Sequence, residues 1–161
     1  MLLEDQERAL WDQEEIAEGV AKLEQALSMK VPGPYQVQAA ISELHAQAER
    51  PEETDWAQIA TLYRMLHEMM PSPVVELNRA VAVAMAEGIQ YGLSLLDRLG
   101  ETGELKEYYL FHAARADLLR RTGQLDEAQT AYTRALELCQ NNTEQAFIRG
   151  RLAEIEGQMR Q

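Results

Sequence analysis

The chain has 161 residues, which suits one domain, and 15 lysine and arginine against 27 aspartate and glutamate residues give a formal net charge of −12. This acidity disfavours binding to nucleic-acid phosphates and to anionic membrane surfaces. No apolar run of about 18 residues predicts a transmembrane helix, and the acidic start of the chain is unlike a signal peptide. Cys139 is the only cysteine, so no disulfide forms within the chain, and we expect a reducing, cytoplasmic setting.

The first part of the chain predicts a short leading segment and three helices. Residues 1–11 have no hairpin of their own, and apolar residues recur at helical spacing through 12–31, which we interpret as half a hairpin. Pro34 fits the first turn of the next helix, where its missing N–H costs little. Asp55 caps a third helix, and the second and third helices form a predicted hairpin over 34–71.

The middle of the chain predicts a second hairpin over 73–104. Its first helix, residues 74–88, is apolar almost all round, which is typical of a helix buried by neighbours on several sides. Ser72 as N-cap and Pro73 in the first turn mark its start, and Gly88 marks its end.

The last part predicts a third hairpin over 105–140 and a capping helix over 143–161. The first helix of this hairpin runs from about Leu105 to Thr122 and stops at Gly123, where a helix favours a glycine. Eight predicted helices, no strand candidate and short connections indicate an all-α domain of antiparallel helical hairpins.

One segment of the chain has the pattern of a helical repeat. Residues 109–142 (YLFHAARADLLRRTGQLDEAQTAYTRALELCQNN) resemble one tetratricopeptide repeat, and a weaker copy lies upstream, with Arg79-Ala80 aligned to Arg115-Ala116. The residues that carry the repeat are Arg79, Ala80, Gly92, Arg115, Ala116, Gly123, Ala128, Tyr132 and Ala135. We therefore predict a right-handed superhelical array of about eight helices, built from tetratricopeptide-like hairpins.

The first helix of each hairpin lines the concave face of such an array, and here those helices carry an apolar strip. The strip consists of Val37, Ile41, Leu44, Val74, Leu77, Val81, Met85 and Leu110. A large exposed apolar strip marks a protein-binding face, whereas apolar residues at helical spacing are more often plain core. We favour the core interpretation and keep the binding face as the alternative.

Two arginines occupy an unusual position in the repeats. Arg79 and Arg115 stand where a side chain normally packs inside, so we expect each to contact a carboxylate or several backbone carbonyls. The structural interpretation is that they lock adjacent hairpins together, and losing such a buried group would cost about 3 kcal/mol. The functional alternative is a pair of anion-binding arginines in a groove.

No pattern indicates catalysis, a cofactor or a metal site. No two of His45, His67 and His112 have the spacing of a helical metal pair, and no cysteine pair accompanies them. Cys139 has no evident base nearby, so we interpret it as a small buried residue rather than a nucleophile. Phosphate-binding loops and nucleophile elbows are also missing from the sequence.

Five runs of residues, spread from residue 2 to residue 132, share the pattern of one family. They are LLEDQERALWD (2–12), PGPYQVQAAISELHAQA (32–48), TDWAQIATLYRML (54–66), PSPVVELNRAVAVAMAEG (71–88) and FHAARADLLRRTGQLDEAQTAY (111–132). They resemble the C-terminal extension of a group of bacterial extracytoplasmic-function sigma factors of RNA polymerase. In that family a tetratricopeptide-like domain follows the two regions that bind DNA and polymerase. Ile89 departs from the pattern, which usually has a proline there, and we expect it to alter only the start of the fifth helix.

The resemblance implies a fragment whose sigma core regions would precede residue 1. It also implies a non-catalytic regulatory domain that contacts the sigma core, RNA polymerase or a regulatory protein. Two other functions remain open: a free-standing tetratricopeptide adaptor for peptide segments, and a small-molecule sensor. We expect no direct nucleic-acid or membrane binding by this fragment. Residues 2–11 are expected to fold back onto the array or to pack against a second copy of the chain in a homodimer, because the first helix lacks a covering partner.

Overall fold

The computed structural model describes residues 33–48 and 51–161. These residues form seven α-helices and one short 3₁₀ turn, and they contain no strand. The helices are α1 (Pro34–Gln47), α2 (Trp56–Met69), α3 (Pro73–Ala86), α4 (Ile89–Glu101), α5 (Tyr109–Arg121), α6 (Leu125–Leu138) and α7 (Asn142–Met159). The predicted leading segment (1–11), the half hairpin (12–31) and the expected packing of residues 2–11 lie outside the described residues.

Consecutive helices pack against one another along the described chain, as expected for a row of hairpins. The pairs α1–α2, α3–α4 and α5–α6 are the three hairpins, and α7 packs against α6. Helix α3 also contacts α5, so the first helices of two successive hairpins touch. The predicted all-α fold class, an array of helical hairpins, is confirmed.

Helix starts follow local capping chemistry. The Asp55 carboxylate accepts a hydrogen bond from the Gln58 backbone N–H at 3.1 Å, which confirms the predicted cap of α2. Ser72 is the N-cap residue of α3, with Pro73 at the first position, but its side chain makes no capping bond. Its backbone N–H lies 3.4 Å from Nδ1 of His67 instead.

Two predicted helix boundaries differ from the structure. Helix α5 begins at Tyr109 rather than near Leu105, because residues 104–107 form turns in which the Tyr108 N–H bonds to the Leu105 carbonyl at 3.0 Å. Helix α7 begins at Asn142, since the side chain of Asn141 accepts the Glu144 backbone N–H at 3.0 Å and caps the helix. The pair Asn141-Asn142 thus starts a helix as well as breaking the preceding one.

In the part of the chain that the structure describes, the core consists of two clusters of buried side chains. The first joins α1 and α2 and includes Ala82 of α3, and the second joins α3 to α7. Five of the repeat residues are fully buried: Ala80, Ala116, Ala128, Tyr132 and Ala135. Alanine at these contacts lets helix axes approach closely, and Tyr132 is the largest side chain buried to this extent.

The turn between α5 and α6 is closed by a glycine. Gly123 has φ of 79°, and its N–H bonds to the Arg120 carbonyl at 3.0 Å while the Gln124 N–H bonds to the Leu119 carbonyl at 2.9 Å. This pair of bonds is the Schellman motif, which requires a left-handed residue after the helix.

Replacing Gly123 with alanine is expected to lower the free energy of unfolding by about 1 kcal/mol, because a Cβ disfavours the left-handed backbone. Urea denaturation measures the change. The matched control is Gly157→Ala in α7, where a Cβ meets nothing within 4 Å and the helix favours alanine. Equal stability of the two variants would contradict the assignment of the turn.

Candidate functional site

The predicted apolar strip is not one continuous exposed face. Val37, Ile41 and Leu77 are buried in the core, whereas Val74 is 37% exposed. The remaining members are partly buried and pack against the core clusters: Leu44, Val81, Met85 and Leu110. Burial of the first three agrees with the core interpretation, because each hairpin closes over the inner side of its first helix. A protein-binding role for the others stays a prediction.

The two repeat arginines each contact a carboxylate, as predicted. Nε of Arg115 lies 3.1 Å from Oδ1 of Asp97 in α4, and its Nη2 lies 3.8 Å from Oε2 of Glu127 in α6. Arg115 therefore joins adjacent hairpins. Nη1 of Arg79 lies 3.7 Å from Oε2 of Glu76, which is one turn earlier on the same helix, so this contact locks no hairpins together.

The carboxylates that face Arg115 are open to solvent: Asp97 is 58% and Glu127 is 60% exposed. Ion pairs with such exposed partners contribute about 0.2–1 kcal/mol. The expected cost of about 3 kcal/mol for losing a buried arginine therefore does not apply to Arg115, because water replaces the lost partner.

A buried ionic cluster lies instead around Asp117, which is only 5% exposed. Its Oδ1 accepts from Nη2 of Arg120 at 2.6 Å, and its Oδ2 accepts from Nε of Arg121 at 2.9 Å. The hydroxyl of Tyr132 in α6 lies 3.4 Å from Oδ1. The spacing Asp-x-x-Arg-Arg places both arginines one turn after the carboxylate, and this is the sequence signal that could have revealed the cluster.

Burial and neighbouring charges shift the pKa values of three side chains in the cluster. Burial raises the pKa of Tyr132 to about 12, and the negative charge of Asp117 acts in the same direction. Burial lowers the pKa of Arg121, and repulsion from Arg151 adds to it. Burial disfavours charged Arg120 and is the largest single effect on its pKa, but the hydrogen bonds and charge attraction of Asp117 and Tyr132 together outweigh burial and raise that pKa. All three groups therefore keep one protonation state across the physiological pH range.

The cluster also contacts α3, the first helix of the preceding hairpin. Nη1 of Arg121 lies 3.7 Å from Sδ of Met85 in α3. In α7, the guanidinium group of Arg151 lies 5.1 Å from the ring centroid of Phe147 and 3.2 Å from Oε2 of Glu154. The ion pairs of the cluster lie within α5, and its contacts with Tyr132 and Met85 connect it to α6 and α3, so we interpret the cluster as a structural tie between helices.

A groove of about 250 Å³ lies between α2 and α3. Its lining residues are Ala57, Ala60, Thr61, Arg64, Arg79, Val83, Ala86 and Glu87. Arg79 thus does line a groove, as the functional alternative proposed, but with Arg64 rather than with Arg115. Arg64 stands fifteen positions before Arg79 (79 − 64 = 15), so no local sequence pattern connects the two arginines. The antiparallel register of α2 and α3 brings them to the same groove.

One further buried acid lies on α1. Glu43 is 6% exposed, and burial raises its pKa. Its Oε2 has no hydrogen-bond partner among the residues that the structure describes. On the same helix, the ring of His45 forms an edge-to-face pair with the ring of Trp56 in α2, and the two ring centroids lie 5.3 Å apart.

The remaining candidate residues show no reactive arrangement. Cys139 is buried, and Nε2 of His112 lies 2.7 Å from the Lys106 carbonyl oxygen. Across the described ranges, no three histidine, cysteine or acidic side chains come together as metal ligands. In the same ranges, no helix is both long enough and apolar enough to cross a bilayer.

The hairpin α5–α6, with its glycine turn and buried tyrosine, coincides with the predicted repeat. Residues 109–142 match the tetratricopeptide repeat family. Repeats of this family are protein-interaction modules, and helical arrays of this kind are typically non-catalytic. The chain therefore contains a tetratricopeptide-like protein-interaction domain.

The chain is also similar to an uncharacterized protein of Rhizobium meliloti, with 49% identity over 152 residues. The match covers 94% of this chain and 36% of that protein, so the chain spans about a third of the length of the curated relative it matches. No solved structure matches the chain.

Proposed function

We propose that this chain is the regulatory domain of an alternative sigma factor, and that it modulates transcription initiation by contacting the sigma core, RNA polymerase or a regulatory protein. The observation that supports this proposal is the position of helix α3, Pro73–Ala86. This helix contains the most specific run of the family resemblance. This helix packs against α2, α4 and α5, so the family-specific run forms the centre of the array. A role as one domain of a longer bacterial protein also agrees with the relative, of which the match covers 36%.

A free-standing adaptor that captures peptide segments is the second candidate. The match of residues 109–142 supports it equally, because it indicates protein binding without naming the partner. A small-molecule sensor is the third candidate, and the groove between α2 and α3, of about 250 Å³, lies just below the roughly 300–1,000 Å³ of typical ligand pockets.

Affinity capture tests the proposal. The purified chain is immobilised and probed separately with RNA polymerase and with the sigma core regions, at about 0.15 M salt so that weak surface attraction is screened. We expect specific retention of one of them. The control bait is an unrelated helical protein of similar negative charge.

If neither transcription component is retained more strongly than on the control bait, the sigma-factor proposal is wrong. If the transcription component binds both baits and is released equally from both when the salt is raised from 0.15 to about 0.5 M, its retention is non-specific charge attraction. That result would also count against the sigma-factor proposal.

A further inference from the structure

The groove between α2 and α3 has small side chains along its length and charges at its two ends. The two helices are antiparallel and joined by the short link 70–72, so Arg64 lies opposite Arg79, and Ala57 lies opposite Ala86. From Ala57 to Arg64 the groove extends over two helical turns, about 10 Å. Alanine at most floor positions leaves room for another backbone to approach closely.

The arginine end of the groove has hydrogen-bond donors without acceptors. Arg64 is exposed, and its side chain forms no ion pair or hydrogen bond with the part of the chain that the structure describes. Among the described residues, Arg79 contacts the carboxylate of Glu76 alone, at 3.7 Å, which is too long for a hydrogen bond. On a chain with a net charge of −12, two arginines that line the same groove form a local cationic site.

The other end of the groove carries the opposite charge. Glu87 is exposed, and its carboxylate has no cationic partner among the described residues. A phosphate-rich ligand such as duplex DNA would therefore meet attraction at one end and repulsion at the other. The groove complements a ligand whose negative and positive groups are separated by about two helical turns.

We propose that this groove binds a helical segment of a partner protein, with an acidic side chain between Arg64 and Arg79 and a basic side chain at Glu87. A helix is the fitting occupant because the walls are themselves helices, whose backbone groups are already paired and offer no edge to an extended strand. Small residues on the facing side of the segment would meet the alanines. The proposal rests on the proposed protein-binding function and specifies the chemistry of the partner.

The test uses the full chain, labelled with ¹⁵N, and a capped helical peptide rich in alanine and glutamine that carries one glutamate and one lysine seven positions apart. We expect saturable chemical-shift changes at Ala57, Ala60, Arg64 and Ala86. The double variant Arg64→Gln with Arg79→Gln should bind about five- to tenfold more weakly, because two charge-assisted contacts are lost. The control double variant, Arg98→Gln with Arg149→Gln, removes the same charge from exposed arginines outside the groove and should bind as the unmodified chain does.

Peptides with two lysines or two glutamines provide the specificity control, and both should bind more weakly than the mixed peptide. The charge-reversed variant Arg64→Glu with Arg79→Glu should reverse the preference between a peptide with one glutamate and a peptide with one lysine. The proposal is overturned if the groove variants bind the mixed peptide unchanged, if inorganic phosphate displaces the peptide at equal concentration, or if duplex DNA produces the same shifts.

Capture experiments with the same variants separate this proposal from the sigma-factor function. If the Gln double variant binds the mixed peptide unchanged and also retains RNA polymerase or the sigma core as well as the unmodified chain does, the groove proposal is wrong and the proposed function is unaffected. If the mixed peptide binds as described but no transcription component is captured, the groove proposal stands and the proposed partner is wrong.

Discussion

Replacing Asp117 with alanine is expected to lower the free energy of unfolding by about 3 kcal/mol. The carboxylate is buried, and its loss leaves Arg120, Arg121 and the hydroxyl of Tyr132 without their shared acceptor. Breaking a buried ion pair from one side costs about 3–5 kcal/mol, because the remaining charge stays partly desolvated. We expect the lower end of that range, since both arginine side chains keep some contact with solvent.

Urea denaturation at pH 7 measures this loss, and Asp97→Ala is the matched control. Asp97 also pairs with an arginine but is 58% exposed, so its removal should cost less than about 1 kcal/mol. Raising the salt concentration to about 0.5 M should remove most of the control's effect and little of that of Asp117, because buried pairs are screened less. Similar losses for the two variants would show that the cluster contributes no more than a surface ion pair.

The second large effect is expected at Gly92, where α4 crosses α3. A Cβ at this position would lie 2.3 Å from Cβ of Ala84 and 2.8 Å from the carbonyl oxygen of Ala80. Neither atom belongs to a flexible side chain, so the two helices must separate to admit a methyl group. Gly92→Ala should therefore lower the free energy of unfolding by about 2 kcal/mol, even though alanine favours the helix by up to about 1 kcal/mol.

The control for Gly92 is Gly150→Ala in the exposed part of α7. A Cβ there meets nothing within 4 Å, so only the helix preference remains, and stability should rise by about 0.5–1 kcal/mol. Thermal and urea unfolding of both variants measure the difference in sign. A stabilised Gly92→Ala variant would be incompatible with close packing of α3 and α4.

Local chemistry explains why the helices and turns could be predicted from the sequence. The cap at Asp55 and the glycine turn at Gly123 depend on residues within five positions of each other. The repeat pattern likewise identified the buried contacts, including Tyr132 and Ala116, because each repeat position has one characteristic environment. The start of α5 was misplaced because Leu105 is buried in a turn, and apolar spacing alone does not separate a buried turn from a helix.

The candidate surfaces could be predicted only in part. Helical spacing placed Val37 and Val74 on one apolar strip, but periodicity does not say which part of a strip a neighbouring helix covers. Partners of Arg115 come from α4 and α6, and their identity depends on how adjacent hairpins are rotated. The same limit applies to Asp117, whose bond to Tyr132 joins two helices of a hairpin.

The sequence by itself determined the all-α class, the array of hairpins, the repeat at 109–142 and the resemblance to a sigma-factor domain. The class, the array and the repeat follow from periodicity, capping and turn residues, which act over a few neighbouring positions, whereas the resemblance rests on the five runs of residues alone. Only the tertiary structure decided that Arg64 and Arg79 meet at one end of a groove, with Glu87 at the other. That arrangement arises from the antiparallel register of α2 and α3, where packing of the two helices against each other brings together residues that no local pattern connects.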